Sequence, residues 1–371
     1  MFRKLAGVLA VVLSAAVLAA PPQQAQAAST LSMRGADVST LQRAVDLGAK
    51  YYTAAGAVAD PLDILKSAGV NYIRLRVWNN PASGYNNAAK VLAYAKTVKA
   101  KGFKLLIDFH YSDTWADPGK QYKPAAWSSH GISALTTDVY NYTYGVCNSL
   151  KAQGTTPDSV QIGNEINVGM LWNDGKVVNN DFTNLSLLLK VGYNATKACN
   201  SGTQVIIHTA NSDSDAHARW FYDGIRAKGV VWDVTALSYY CNWHGTMANM
   251  TSVVADMISR YGKPTILAET AAPFTLNNAD GTGNSINTAC SGYAATWAEP
   301  GRRVHRGAER RQGGRRDRRL LLGADVDGGA RQRLGPGEHR LLRRRLGQHG
   351  RLQLDERLQR RGEVDQLTTP G

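Results

Sequence analysis

Val160-Gln-Ile-Gly-Asn-Glu-Ile166 and Pro264-Thr-Ile-Leu-Ala-Glu-Thr270 are apolar runs of strand length, each closing on a glutamate followed by loop-type sequence. A carboxylate at the C-terminal end of a buried parallel strand points into the mouth of a barrel, where (β/α)8 enzymes keep their chemistry. A single glutamate near a strand end is ordinarily a solvated loop residue. Two in this setting are the minimal equipment for splitting a glycosidic bond, one as acid and one as nucleophile.

Runs of the same kind recur on both sides of these two. The predicted strands are Met33–Val38, Tyr72–Trp78, Lys104–His110, Ser159–Gly163, Gln204–Thr209, Val234–Tyr240 and Thr265–Ala268. Amphipathic stretches separate them, among them Pro61–Ala68, Ala88–Ala100, Asp138–Ala152 and Phe182–Cys199. The first three end at Gly69, Gly102 and Gly154, the residue that accepts the left-handed helix cap. Strands of nearly continuous apolar character, alternating with helices, indicate a parallel sheet covered on both faces. The fold class is therefore α/β, and seven such units between Leu31 and Thr270 suit a (β/α)8 TIM barrel better than an open doubly wound sheet. No strand is followed by a Gly-rich phosphate loop, which argues against nucleotide binding.

Closing the barrel takes an eighth strand, and none is evident, so residues 28–298 read as an incomplete barrel. Beyond Trp297 the composition changes. Residues 299–371 contain 19 arginines but no aromatic residue, Lys, Ser, Asn, Ile, Met or Cys, while the preceding 298 residues hold all 30 aromatics. The tail also supplies most of the net charge of +14, with 19 basic against 10 acidic residues. Disordered tails are normally rich in Lys, Ser and Gln, so a reading-frame slip in a GC-rich gene is the better explanation. Moving one nucleotide along the codons of Leu322–His339 permits WEPTWTAVPGNGWDPAN. The same shift across Arg302–Leu321 permits an amphipathic helix leading to an apolar strand. The tail as written is expected to be disordered. A chain without its eighth unit would expose strand edges and be poorly folded or inactive.

At the other end, Arg3 and Lys4 precede an apolar run, Leu5–Ala20, and then Ala25-Gln-Ala27. That is a secretory signal cut after Ala27, and it predicts an exported, soluble, monomeric protein with no membrane association after cleavage. Export permits disulfides among Cys147, Cys199, Cys241 and Cys290. Pairing of Cys147 with Cys199 and of Cys241 with Cys290 stands beside the alternative of buried free thiols.

Arg34-Gly-Ala-Asp-Val-Ser39, Ile73-Arg-Leu-Arg-Val-Trp-Asn79, Asp108-Phe-His-Tyr-Ser-Asp-Thr-Trp-Ala-Asp-Pro118, Gln161-Ile-Gly-Asn-Glu165 and Leu267-Ala-Glu-Thr270 resemble the arabinogalactan endo-β-1,4-galactanases of glycoside hydrolase family 53. The likeness runs from about Leu31 to Tyr293, and the shifted string WEPTW resembles that family's eighth strand. The resemblance implies a retaining endo-hydrolase of β-1,4-galactan, the side chain of pectic type I arabinogalactan. Glu165 would be the acid/base and Glu269 the nucleophile, with carboxyl groups about 5–5.5 Å apart and no cofactor needed for the chemistry.

Neighbouring residues suit supporting roles. Asn164 is placed to bond a sugar 2-hydroxyl, Arg76 to keep Glu269 ionised, and Tyr240 to donate to Glu269. His110 and His208 end strands at the same face, as site groups or as satisfied structural ones. Trp115, Trp172 and Trp243 lie in loops after strands, where an exposed indole offers a stacking platform. Asp117-Pro-Gly-Lys120 resembles a substrate-contacting segment of the family, with Asp113 just before it. Asn278, Asp280, Thr282 and Asn284 recur at every second residue in a loop where bacterial relatives bind calcium; one carboxylate among four is thin charge for Ca²⁺, and a plain turn is the competing reading. Two other functions deserve comparison: another endo-glycanase of the same fold, acting on mannan or xylan, and a polyanion binder using the arginine tail. The tail lacks interleaved aromatics and belongs to an exported chain, so nucleic acid is not expected as a partner.

Overall fold

The computed structural model describes residues 31–53, 55–271, 273, 275–277, 285–290 and 294–295, together with the backbone of 320–325. Eight parallel strands follow one another around a closed ring: β1 (Arg34–Asp37), β2 (Tyr72–Val77), β3 (Lys104–Phe109), β4 (Ser159–Ile162), β5 (Gln204–Thr209), β6 (Val234–Ser238), β7 (Thr265–Glu269) and β8 (Leu320–Asp325). The predicted (β/α)8 class is thus met. One expectation is corrected. The chain as written does supply an eighth strand: Leu320 pairs opposite Thr265 of β7, and Leu322 opposite Arg34 of β1. Leu320-Leu-Leu-Gly-Ala-Asp325 is an apolar run of strand length, hidden in the sequence by the arginine bias around it, and it removes the open edges foreseen for β1 and β7. The calcium-loop candidates Asn278, Asp280, Thr282 and Asn284 lie outside the described residues, as do residues 1–30 and the tail apart from β8.

The helices are α1 (Leu41–Asp46), α2 (Pro61–Ser67), α3 (Ala88–Ala100), α4 (Ile132–Ala152), α5 (Thr183–Cys199), α6 (Asp215–Ala227), α7 (Cys241–His244) and α8 (Met247–Tyr261). Local chemistry fixes their ends. Asp60 accepts from the Leu62 and Asp63 amides ahead of α2, with Pro61 at its first position, and Asn87 accepts from the Lys90 amide ahead of α3. α4 starts at Ile132, earlier than the predicted Asp138, because Leu135 carries the buried stripe of Val139, Val146 and Leu150 one turn further back. No helix among the described residues is long and apolar enough to cross a membrane.

The core has two shells. Outward-facing strand residues such as Ile73, Leu75, Val77, Leu105, Ile107 and Phe109 pack beneath the helices. Inside the ring Met33, Tyr72, Leu106, Ile206, Val234 and Ile266 form a separate apolar floor. Fully burying side chains of this size contributes about 1.5–3 kcal/mol each. Disulfides join Cys147 of α4 to Cys199 of α5, and Cys241 of α7 to Cys290. The free-thiol alternative therefore fails. Loops of 52 and 49 residues correspond to about 4 kcal/mol each of lost unfolded-state entropy.

Candidate active site

Side chains alternate across a strand, so every second residue of each strand faces the lumen. Above the apolar floor those positions turn polar. Asp37, Arg74, Asp108, Gln161, His208 and Ser238 are all buried there, on β1 to β6. Glu269, ending β7, joins them at 9 % exposure.

Arg74 is the hub of this layer. Its guanidinium lies 3.0 Å from Asp37 Oδ2, 2.8 Å from Asp108 Oδ2 and 3.1 Å from Glu269 Oε1. It also donates to Asn164 Oδ1 at 2.8 Å. The second oxygen of Glu269 accepts from the Tyr240 hydroxyl at 3.0 Å. Burial penalises the charged form of Asp108, but the charge of Arg74 and the hydrogen bond with His110 overcome it and hold the carboxyl below the usual range, so Asp108 stays ionised. This corrects the role expected of Arg76: the arginine on Glu269 is Arg74. Both face the lumen from β2, but Arg76 stands two residues higher, about 6.6 Å along the strand, beyond the carboxylates. It stacks instead beneath Trp115, its guanidinium carbon 3.7 Å from that ring centroid and 4.7 Å from that of Trp78. Its Nε and Nη2 are buried without a hydrogen-bond partner.

Glu165 is positioned by an unusual strand end. Gly163 follows β4 at φ +79°, and a Cβ there would meet Ile166 Cγ2 at 2.5 Å, so no larger residue fits. Glu165 itself takes φ +46°, a left-handed conformation that costs a residue with a Cβ about 1 kcal/mol. Neighbours over-determine it. Ile166 N–H donates to the His208 carbonyl at 3.1 Å, and Gln121 Nε2 donates to the Asn164 and Glu165 carbonyls at 2.8 and 3.3 Å. The carboxyl then accepts from Ser238 Oγ at 2.6 Å through Oε1. Its pKa is pushed up from 4.5 to about 8, by burial first and the charge of Glu269 second, against the opposing pull of Ser238 and Arg74. One carboxyl is thus neutral at pH 7 while its neighbour receives an arginine and a tyrosine. That is the division of labour an acid and a nucleophile require.

Other candidates fall into two groups. His110 is buried, with Nε2 3.0 Å from Asp108 Oδ2 and Nδ1 accepting the Ala116 amide at 3.0 Å; burial lowers its pKa and keeps it neutral. Asp113 accepts the Asn80 and Ala125 amides, both at 2.8 Å, one on each oxygen. Asp117 Oδ1 closes a turn over the Gly119 and Lys120 amides, and Lys120 Nζ lies 3.4 Å from its other oxygen. Asn164 uses Nδ2 on the Ala116 carbonyl at 2.9 Å. These groups shape the loop after β3. At the rim, Trp115 is 41 % and Trp243 57 % exposed, the latter edge-on to Tyr240 with ring centroids 5.2 Å apart. Trp172 has Lys176 Nζ 4.2 Å above its ring and is half-buried.

Sequence reasoning passed over Arg74, Asp108, Gln161 and Ser238 as site residues. A signal for them exists: the lumen-facing series Tyr72-x-Arg74-x-Arg76, Leu106-x-Asp108-x-His110, Ile206-x-His208 and Val234-x-Ala236-x-Ser238 grow polar toward their C-terminal ends. A cavity of about 550 Å³ opens at the opposite end, lined by Met33, Tyr72, Lys104, Asp158 and Gln204 among others. Its single acid, Asp158, is tied to Lys99 at 2.6 Å, so it lacks the paired carboxyls. Among the described residues no group of three His, Cys, Asp or Glu side chains converges to hold a metal ion.

Comparison with known proteins gives the family. The sequence pattern of glycosyl hydrolase family 53 matches residues 33–305. An endo-β-1,4-galactanase of Bacillus subtilis is 35 % identical over 68 % of the chain, which spans 59 % of that relative's length. An arabinogalactan endo-β-1,4-galactanase of Aspergillus niger is 37 % identical over 69 % of the chain and 75 % of its own length. Among solved structures, the family 53 catalytic domain of Ignisphaera aggregans superimposes with a TM-score of 0.74 at 39 % identity, over 79 % of this chain and 84 % of that one. The matched span takes in both glutamate-bearing strand ends, β4 with Glu165 and β7 with Glu269, and the chain belongs to glycosyl hydrolase family 53.

Proposed function

We propose that the chain is an exported, monomeric endo-β-1,4-galactanase that cuts the β-1,4-galactan of type I arabinogalactan with retention of configuration. The observation that carries this reading is the carboxyl pair: Glu165 kept protonated by burial, Glu269 braced by Arg74 and Tyr240. Relatives named as galactanases support the choice of glycan. In the first step Glu269 attacks the anomeric carbon; the bond to the leaving oxygen breaks, and that oxygen takes the proton of Glu165. In the second, a water gives its proton to Glu165 and its oxygen to the anomeric carbon, releasing Glu269. No cofactor enters either step. Trp115 and Trp243 offer faces on which sugar rings stack. Arg76, with two unpartnered donors beneath Trp115, together with Asn164 and Lys120, offers polar contacts to sugar hydroxyls. The leader at residues 1–27 and the two disulfides support export.

A panel of β-1,4-galactan, type I arabinogalactan, mannan and xylan tests the assignment. The expected result is a fall in galactan viscosity that outpaces the release of reducing ends, with the β-anomer appearing first by proton NMR. Cleavage of mannan or xylan with galactan left intact would overturn it.

We infer in addition that the arginine-rich tail records a one-nucleotide frame slip close to the codons for Trp297–Pro300. The abrupt loss of aromatics supports this, as does the end of the family match at residue 305. The shifted frame also writes WEPTW across the codons that begin at Leu322, within the span of β8. Resequencing the gene is expected to reveal the slip, and the repaired chain to be the more active. An unbroken frame across those codons removes the inference.

A further inference from the structure

Ser238 is fully buried near the end of β6, its Oγ 2.6 Å from Glu165 Oε1 and 3.0 Å from His208 Nε2. A hydroxyl has one proton to give, and groups further along decide where it goes. Arg74 can only donate, so Gln161 Oε1, at 3.3 and 3.2 Å from its Nε and Nη2, is the acceptor end of that amide. Ionised Asp108 can only accept, so Gln161 Nε2 donates to its Oδ1 at 2.7 Å. The same Nε2 stands 3.1 Å from His208 Nδ1, and the Glu165 amide N–H is directed at that nitrogen from 3.4 Å. A ring nitrogen facing two donors is the unprotonated one. Asn164 Oδ1 also lies 3.1 Å from it, but the Glu165 N–H can only donate, so it fixes that nitrogen as the acceptor. Burial and the charge of Arg74 keep His208 neutral, with its proton on Nε2. That proton goes to Ser238 Oγ, which leaves the serine proton for Glu165.

We propose that Ser238 is a positioning residue that divides the work between the two oxygens of Glu165: Oε1 is held as an acceptor, and Oε2 carries the proton given to the leaving group and recovered from water. This rests on the reading of Glu165 as the acid/base and adds which atom does the chemistry and what enforces it. Without the serine, both oxygens compete for one proton, and the carboxylate needed to deprotonate water loses a charge-assisted bond. The other charged or titratable groups about Glu165 are Glu269 on β7, Arg74 on β2, His208 on β5 and Asp117 in the loop after β3. A change at Ser238 leaves Glu269, Arg74 and Asp117 in place and takes from His208 only the acceptor of its Nε2 proton.

The test compares pH profiles of wild type, Ser238→Ala and Ser238→Cys on galactan and on an aryl β-galactobioside with an activated leaving group. For Ser238→Ala the alkaline limb of kcat/KM is expected to move up by roughly one pH unit, the size of one hydrogen bond to a charged group. On the aryl substrate, where the base-assisted second step limits turnover, kcat is expected to fall about 10- to 100-fold. Ser238→Cys, a near-isosteric weak donor, moves the limb the same way by less, and it serves alone should the alanine variant not fold. Limbs that coincide with wild type in every folded variant overturn the proposal. A wild type that leaves galactan uncut defeats the underlying reading instead.

Discussion

Glu269→Gln lowers kcat/KM on β-1,4-galactan by an expected ~10⁴-fold or more, because a glutamine amide cannot replace the carboxylate that attacks the anomeric carbon. Glu165→Gln has a different signature. With an activated aryl substrate the first step survives, the glycosyl-enzyme accumulates, and azide, which needs no base, restores turnover as the β-glycosyl azide. Glu165→Gln also separates activity from stability. Burial raises the carboxyl from 4.5 to about 8, so the native state keeps a proton that the unfolded chain has released. Stability from this group is fully present below about pH 4.5 and is lost as pH rises toward 8. The glutamine variant has no such loss. Its melting temperature is expected to exceed that of wild type at pH 8 and to converge with it at pH 4, as scanning calorimetry would reveal. Equal melting temperatures at both pH values would mean that Glu165 is not held protonated.

Arg74→Met is the second large effect, and it acts on folding as well as turnover. The guanidinium holds Asp37, Asp108 and Glu269, and removing it strands three carboxylates in a buried layer. Breaking one buried pair costs about 3–5 kcal/mol, which for a domain of this size lowers the melting temperature by roughly 10 °C. Activity is expected to fall more than ~10³-fold in whatever fraction folds, since Glu269 loses its charged partner. Arg76→Met is the informative control. Arg76 forms no ion pair among the described residues, and its Nε and Nη2 are unpartnered, so the variant should fold and show its loss mainly in KM. A stable Arg74→Met beside an unfolded Arg76→Met would reverse the roles assigned to the two arginines.

The contrast between these arginines marks what the sequence made legible. Strands such as Tyr72–Val77 and Gln204–Thr209 stood out because both faces are buried and their apolar character is nearly continuous. The glutamates stood out because they ended such runs. Alternation also put Arg74 and Arg76 on the same side of β2. Depth along the lumen, however, depends on how neighbouring strands are staggered around the ring, and no single strand carries that information. Ser238 and Gln161 escaped for a related reason: inside an apolar run a small polar residue reads as part of the strand, and its partners come from other strands. β8 was obscured differently, by the unusual composition around Leu320–Asp325.

The bond-breaking centre is wired across β2 to β7, whereas the exposed indoles of Trp115 and Trp243 stand beyond the strand ends, in the loop after β3 and on α7. Grip and reactivity are therefore written into separate stretches of polymer. Exchanging an indole face retunes which glycan is retained, while any change inside the lumen alters the reaction for every glycan alike.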